Sequence, residues 1–580
     1  MVALTPCFAA LLLLSATVAS PVHKYGNTGG SSSSSKKTDI LSLPTVSEGL
    51  DFLCLFPLVE RYTKLCTRAT SSSSSSGTTV TTPLGTATGT VSSSAVRFAV
   101  KYASAERWQD SSVVTTWELP NNSTDASASP LVCPQSGVDA SDYSEDCLSM
   151  LLYVPSSVLS SGGDVPTFMW IHGGSFIQGS ATQAGIDGSN LAAATGSIVA
   201  VIQYRLGAFG WNAPDGSTNM ALGDVINALK FLQTVVPSFG GSASKITAAG
   251  QSSGANMVRA LLATPSADSL FQSAILQSDP MDYGFLSTST QTTLQSYFNS
   301  QLNCSSTDTS CLSSLSTSDI LSASGSLFSE AVNLDESATA SEPMRPVHDG
   351  TLITTPLDLT ATFPSVSKPI LLTTVLDEAG LTIYGSFDDS MTASTYDLVV
   401  EGTFTSRTDT VLSASEYTVP VLADGQQADA RSTLQTLGTD QIWRCATWTM
   451  ARNWVGNGAS AYVGVYVVGA TYPGNEDVSF CTEDGVVCHQ DDIEIVFGTV
   501  TSPTSAQSAL ITEMQARYKA FLNTGNPNPT SGSYATWAPA TTTDIPALLL
   551  GGNGSTADAG ACTVDFWGDK LLYDYQVYDI

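Results

Sequence analysis

Residues 244–265, SKITAAGQSSGANMVRALLATP, decide how this chain is read. The apolar run 246–249 has the character of a strand, and 255–262 that of a helix. Between them, Gly250-Gln251-Ser252-Ser253-Gly254 matches the pattern G-x-S-x-G. A sharp strand-to-helix turn forces its central residue into a strained conformation and brings two backbones close, so small residues are required on either side. Gly250 and Gly254 meet that requirement. Ser252 is then expected at the C-terminal end of a sheet strand, above a helix N-terminus that favours developing negative charge. In a chain with 46 glycines and several serine runs the pattern is weak evidence alone.

A serine hydroxyl needs a base to become a nucleophile, and the chain offers four histidines. His23 lies in a polar N-terminal stretch, His172 precedes a glycine pair, and His348 in RPVHDG suits a turn. His489, in VVCHQDDIEIVFG, follows Cys488 and precedes an apolar segment, a placement suited to proton transfer. An acid must orient the imidazole and stabilise its charged form. KPILLTTVLDEAG (368–380) puts both Asp377 and Glu378 at the end of an apolar strand, on the face where Ser252 is expected. The order serine, acid, histidine belongs to α/β-hydrolases rather than to the other serine-hydrolase folds. MWIHGGSFIQGS (169–180) ends a strand in His172-Gly173-Gly174, whose unobstructed backbone N–H groups suit an oxyanion. The N–H of Ser253, next after the nucleophile, completes such a hole.

From residue 78 onward, short apolar strands (PTFMWI, SIVAVIQY, KITAAG, QSAILQS, KPILLTTVL, ASAYVGVYVVG) alternate with helical runs such as ALGDVINALKFLQTVV. That alternation predicts one α/β domain over 78–580, a large, mostly parallel sheet with helices on both faces.

With these motifs assembled, the chain resembles the type-B carboxylesterase/lipase family, the cholinesterase-like α/β-hydrolases that include secreted fungal members. The likeness runs from about residue 80 to the C-terminus. It rests also on SEDCL (144–148), VIQYRLGAFGW, NMALGDVINALKFL, FGG, DEAG, CHQDDIEIVFG and TGNPNP. It implies the α/β-hydrolase fold, Ser252 as nucleophile, Glu378 rather than Asp377 as the acid, and His489 as the base. It implies Gly174, Ser175 and Ser253 as oxyanion donors with Gly173 shaping the turn, and a buried structural ion pair between Arg107 and Glu145. The chain departs from the family where Glu-Ser-Ala becomes Gln251-Ser252-Ser253 and where the third glycine of the hole becomes Ser175. Gln251 removes a carboxylate that would stabilise a cationic histidine or attract a cationic substrate, which argues against choline-like esters and marks Gln251 as a candidate substrate-binding position.

The resemblance implies a carboxylic ester hydrolase working through an acyl-enzyme. The loop that forms a long lid in lipases is here short and polar, PQSGVDASDYSED between Cys133 and Cys147, so soluble or short-to-medium-chain esters are expected. A long-chain lipase is the rival enzyme, and a non-catalytic adhesion module the rival of another class. The latter lacks a member of the Ser, Glu, His set, all three of which stand here. No organic cofactor is required, and no Cys/His set has zinc-ligand spacing.

The formal net charge of −30 disfavours nucleic acid and anionic membranes as partners. No run beyond the N-terminus is long and apolar enough to integrate in a membrane. Residues 1–20, MVALTPCFAALLLLSATVAS, read as a secretory signal, although no Lys or Arg precedes the apolar stretch. Residues 21–77 form a Ser-rich extension around a small apolar element holding Cys54 and Cys66. Eleven cysteines less Cys7 leave ten, an even set suited to an oxidising, extracellular setting. The expected pairs are Cys54–Cys66, Cys133–Cys147, Cys304–Cys311, Cys481–Cys488 and, by remainder, Cys445–Cys562. Asn121, Asn122, Asn303 and Asn553 lie in glycosylation sequons. Peptide mapping under non-reducing conditions should recover these five pairs; Cys54 or Cys66 crosslinked elsewhere would refute the N-terminal element.

Overall fold

The structure is a computed structural model that describes residues 77–567, apart from residues 93, 359–360, 405–406 and 565. The signal sequence, the extension to residue 76 and the Cys54–Cys66 pair lie outside the described residues. Twelve strands form one sheet: β1 (Thr78–Thr82), β2 (Gly85–Ser92), β3 (Ala95–Ser104), β4 (Ser112–Glu118), β5 (Ser149–Pro155), β6 (Val165–Ile171), β7 (Ile198–Ile202), β8 (Gly241–Gln251), β9 (Ser273–Gln277), β10 (Ile370–Val375), β11 (Ala461–Tyr466) and β12 (Leu548–Leu550). Their order is β1-β2-β3-β5-β7-β6-β8-β9-β10-β11-β12, with β4 paired to β3. From β7 to β12 every pairing is parallel, while β1 to β5 pair antiparallel and β5 joins β7 antiparallel. This is the mostly parallel α/β-hydrolase sheet that the alternation predicts; the antiparallel wing and β12 extend it beyond the six apolar runs.

The parallel strands are apolar throughout because both faces are covered, so side chains from each pleat enter a core. Along β6, Phe168 and Trp170 pack on one face with Val199, Ile275, Tyr518 and Phe521. Met169 and Ile171 point to the other, against Leu229, Leu232, Val258 and Leu261. The helices Met220–Val235 and Ser253–Leu262 supply the second face, and Ser505–Thr524 supplies the first. A third, smaller cluster gathers Ile383, Tyr396, Val400, Phe404, Leu437 and Trp443 in the excursion between β10 and β11.

Four disulfides close among the described residues: Cys133–Cys147, Cys304–Cys311, Cys445–Cys562 and Cys481–Cys488. Arg107 and Glu145 form a two-pronged ion pair at 2.6 and 2.8 Å that also holds Thr317, but it is only part-buried. Of the two adjacent sequons, Asn121 has its amide engaged, donating to Ser129 O at 3.0 Å and accepting from Leu131 N at 3.1 Å. Asn121 is part-buried, whereas Asn122, Asn303 and Asn553 are exposed. No helix among the described residues is long and apolar enough to cross a membrane.

Arg205 and Asp224 form a buried pair at 2.7 Å beside the end of β7. Removing the acid strands an uncompensated guanidinium, so Asp224→Ala should lose about 3–5 kcal/mol in chemical denaturation. A change under about 1 kcal/mol would contradict that burial.

Candidate active site

The motif at the end of β8 folds as its composition demands. Ser252 sits at φ 57°, ψ −129°, between β8 and the helix Ser253–Leu262. Its N–H donates to Gln277 O at 2.9 Å, and its carbonyl accepts from Ala255 and Asn256. A Cβ on Gly250 would lie 2.3 Å from Gly254 O, and one on Gly254 would lie 2.2 Å from Ile171 O. Both flanks therefore require glycine for contact reasons, whatever their own dihedrals.

Sheet register brings the other parts to this turn. β6 pairs with β8 so that Ile171 lies opposite Gly250, which sets the 172–176 loop beside Ser252. In that loop Gly174 has φ 113°, Ser175 φ 51° and Phe176 φ 62°. Their departure from ordinary dihedrals is held by burial of the Phe176 ring against Trp211 and by Phe176 N donating to Ser253 Oγ at 3.3 Å. Ser253 thus ties the loop to the turn through its hydroxyl. Among the described residues, the backbone N–H groups of Gly174, Ser175 and Ser253 donate to no protein acceptor. Gly173 is pressed from the other side: a Cβ there would sit 2.8 Å from Gln251 O and 3.1 Å from Ser252 Cβ.

Glu378 and His489 meet because β10 and β11 are neighbours. The loop after β11 returns to the β10 end, where Asp377 N donates to Val487 O and Asp377 Oδ2 accepts from Val487 N. Asp377 thus clamps the histidine loop. Glu378 turns inward, its Oε1 accepting from Val375 N at 2.9 Å and its Oε2 standing 2.5 Å from His489 Nδ1. Glu378 as a residue is 1% exposed. A carboxylate so close to Nδ1 fixes the proton on that nitrogen and leaves the Nε2 lone pair as the ring's acceptor. Asn475 donates to His489 O at 2.8 Å, and the Cys481–Cys488 disulfide anchors the preceding residue.

Ser252, Glu378, His489, Gly174 and Ser175 line one cavity of about 450 Å³. One wall is apolar, with Leu381, Ile383, Val399, Phe404, Leu437 and Trp443; the other, residues 332–342, is largely polar. The Cys133–Cys147 loop is not part of the lining, because Gln135 holds it to the Gly179 backbone through bonds of 2.9 and 3.0 Å. Gln251 is placed differently from its sequence assignment to substrate. It is fully buried under the turn, off the cavity wall, and its Nε2 lies 3.1 Å from His489 Nε2. Ser252 Oγ has no hydrogen-bond partner among the described residues.

The other two histidines among the described residues stand apart, His23 lying outside them. His172 is fully buried, stacked on Tyr204 at 4.7 Å, and burial pushes its pKa down to about 4. His348 is half-exposed and outside the cavity lining. Two acids follow His489 closely, and the motif assigns them no role. Asp491, pushed up to about 7 by burial, accepts from Cys488 N, Tyr472 N and Asn475. Asp492, pushed up to about 6 by burial, accepts from Gln277. Their position in an apolar run, CHQDDIEIVFG, was the available signal that they are buried and bonded.

The carboxylesterase family profile matches residues 76–567. The chain is 28% identical over 419 residues to "Crystal protein" of Dictyostelium discoideum, covering 70% of this chain and 74% of that one. It is 37% identical over 166 residues to "Para-nitrobenzyl esterase" of Bacillus subtilis (strain 168), a match covering 27% of this chain and 33% of that enzyme. A solved structure titled "PNB ESTERASE" superposes with a TM-score of 0.65 at 22% identity, covering 81% of this chain and 95% of its own, and shows the shared fold. Profile, sheet order and fold agree, and the chain belongs to the carboxylesterase family.

Proposed function

We propose that this protein is a secreted serine hydrolase that cleaves carboxylic esters, chiefly soluble or short-to-medium-chain ones, through an acyl-enzyme on Ser252. One observation carries the reading. The hydroxyl at the strained turn, Gly174 and Ser175 with their unengaged backbone N–H groups, and the Glu378–His489 pair all border a single cavity.

The chemistry follows from that placement. His489 Nε2 takes the Ser252 proton as Oγ attacks the ester carbonyl. The oxyanion is received by the N–H groups of Gly174, Ser175 and Ser253, which give up no hydrogen bond to a described protein acceptor in doing so. Glu378 keeps the imidazole in the tautomer with Nδ1 protonated and stabilises its charged form. His489 then gives the proton to the leaving alkoxide, and a water repeats the sequence on the acyl-enzyme. The apolar wall suits a hydrocarbon limb of modest length, and the short polar Cys133–Cys147 loop lies outside the cavity lining. Four disulfides together with the apolar N-terminal stretch support passage through an oxidising compartment.

Dissolved p-nitrophenyl butyrate should be hydrolysed, and Ser252→Ala should lower kcat by about 10³-fold or more. Negligible activity on the dissolved ester with strong activation on emulsified triacylglycerol would replace this reading with a long-chain lipase. Gly173→Ala pushes a methyl against the Gln251 carbonyl and the Ser252 Cβ and should cost about 10²-fold in kcat, the scale of one lost oxyanion donor. Full activity in that variant would remove the loop from the site.

A further inference from the structure

The buried amide of Gln251 has two ends. One, Nε2, faces His489 Nε2 at 3.1 Å; the other, Oε1, is buried without a hydrogen-bond partner. Oε1 lies where a side chain on residue 173 would begin, 2.9 Å from the Cβ that Gly173 lacks. With Glu378 fixing the proton on Nδ1, the His489 lone pair that must receive the Ser252 proton is the one to which Gln251 donates.

We propose that Gln251 is a positioning residue for the base: its neutral amide holds the His489 ring by Nε2 until Ser252 takes that lone pair. This rests on the serine-hydrolase reading above. The same amide serves the next step. Once Nε2 carries the transferred proton, a half-turn of the Gln251 amide replaces the N–H donor by the Oε1 acceptor. Gly173, having no Cβ, puts no side chain of its own against Oε1. One side chain therefore meets both protonation states of the ring, and being uncharged it favours the imidazolium by a hydrogen bond alone. A carboxylate here would hold the ring protonated by charge.

The charged groups around His489 permit a clean test. Glu378 is bonded to Nδ1, and Asp492 lies close enough to act on the ring electrostatically. Asp377 is engaged with Val487 and Gln435, and Asp491 with Cys488 N. The helical segment Thr439–Arg444 presents the Trp443 ring at 5.5 Å, its Asp440 and Arg444 being paired together. Gln251→Glu would add one carboxylate on the Nε2 side, where none of these groups makes a hydrogen bond.

The experiment compares kcat/KM against pH for the full-length wild type, Gln251→Glu and Gln251→Ala on p-nitrophenyl butyrate. Gln251→Glu should move the acid limb of the profile up by about one pH unit, so that activity lost about tenfold near the limb returns at higher pH, with KM little changed. Gln251→Ala should leave the limb in place and lower kcat by about tenfold with KM unchanged, since only the tether is lost. A Gln251→Glu profile superposable on wild type, or a raised KM with kcat intact in either variant, would overturn the proposal. If Gln251→Glu does not fold, Gln251→Ala decides alone: wild-type kcat there refutes the tether. A wild type that hydrolyses no ester strikes the serine-hydrolase reading instead.

Discussion

Everything in the site hangs on one backbone contact, the approach of Gly254 to the end of β6. A Cβ on Gly254 would lie 2.2 Å from Ile171 O and 2.6 Å from His172 O, so only a bare Cα lets the helix Ser253–Leu262 start where it does. That approach bends the chain hard enough to put Ser252 at φ 57°. It also seats the 172–176 loop, and with it two of the three unengaged N–H groups, against the turn. Strain at a single serine is thus held by a wide, two-faced core, as expected where a local cost is over-determined by its surroundings.

The second dependence is on strand order. β8 lies between β6 and β9, and β10 joins β9 to β11. The turn at β8, the acid after β10 and the histidine loop after β11 all emerge at strand ends on one edge of a parallel sheet, the place such sheets offer for sites. Asp377, Asn475 and the Cys481–Cys488 disulfide then fix the histidine loop to the β10 end. Holding His489 from several directions is a means of keeping a base oriented by rigid elements rather than by a free loop.

Much of this was legible in the sequence. Each of the six apolar runs became a strand because each is buried on both faces, and their alternation with helices named the fold. The turn was readable because glycine at 250 and 254 has a steric reason. The choice between Asp377 and Glu378 was not readable from the two residues themselves. They are adjacent at a strand end, and backbone direction sends one to the histidine loop and the other to the ring. Within the antiparallel wing, β1 and β2 were obscured because TTVTT and GTATGTVS look like low-complexity chain and carry few apolar residues, whereas β3 and β5 carry apolar runs of the same kind as the six. Gln251 was read as facing substrate because its true partner, His489, lies 238 residues away and nothing local announces it. Ser253 gave no sign that its hydroxyl would hold the neighbouring loop.

The central claim is that Ser252 alone among the many serines is a nucleophile served by His489. Intact-mass and peptide analysis after brief exposure to a fluorophosphonate tests it most directly. The account predicts a single adduct, on the peptide containing Ser252, that fails to form at a comparable rate in His489→Ala. An unmodified protein, or an adduct on any other residue, would contradict it.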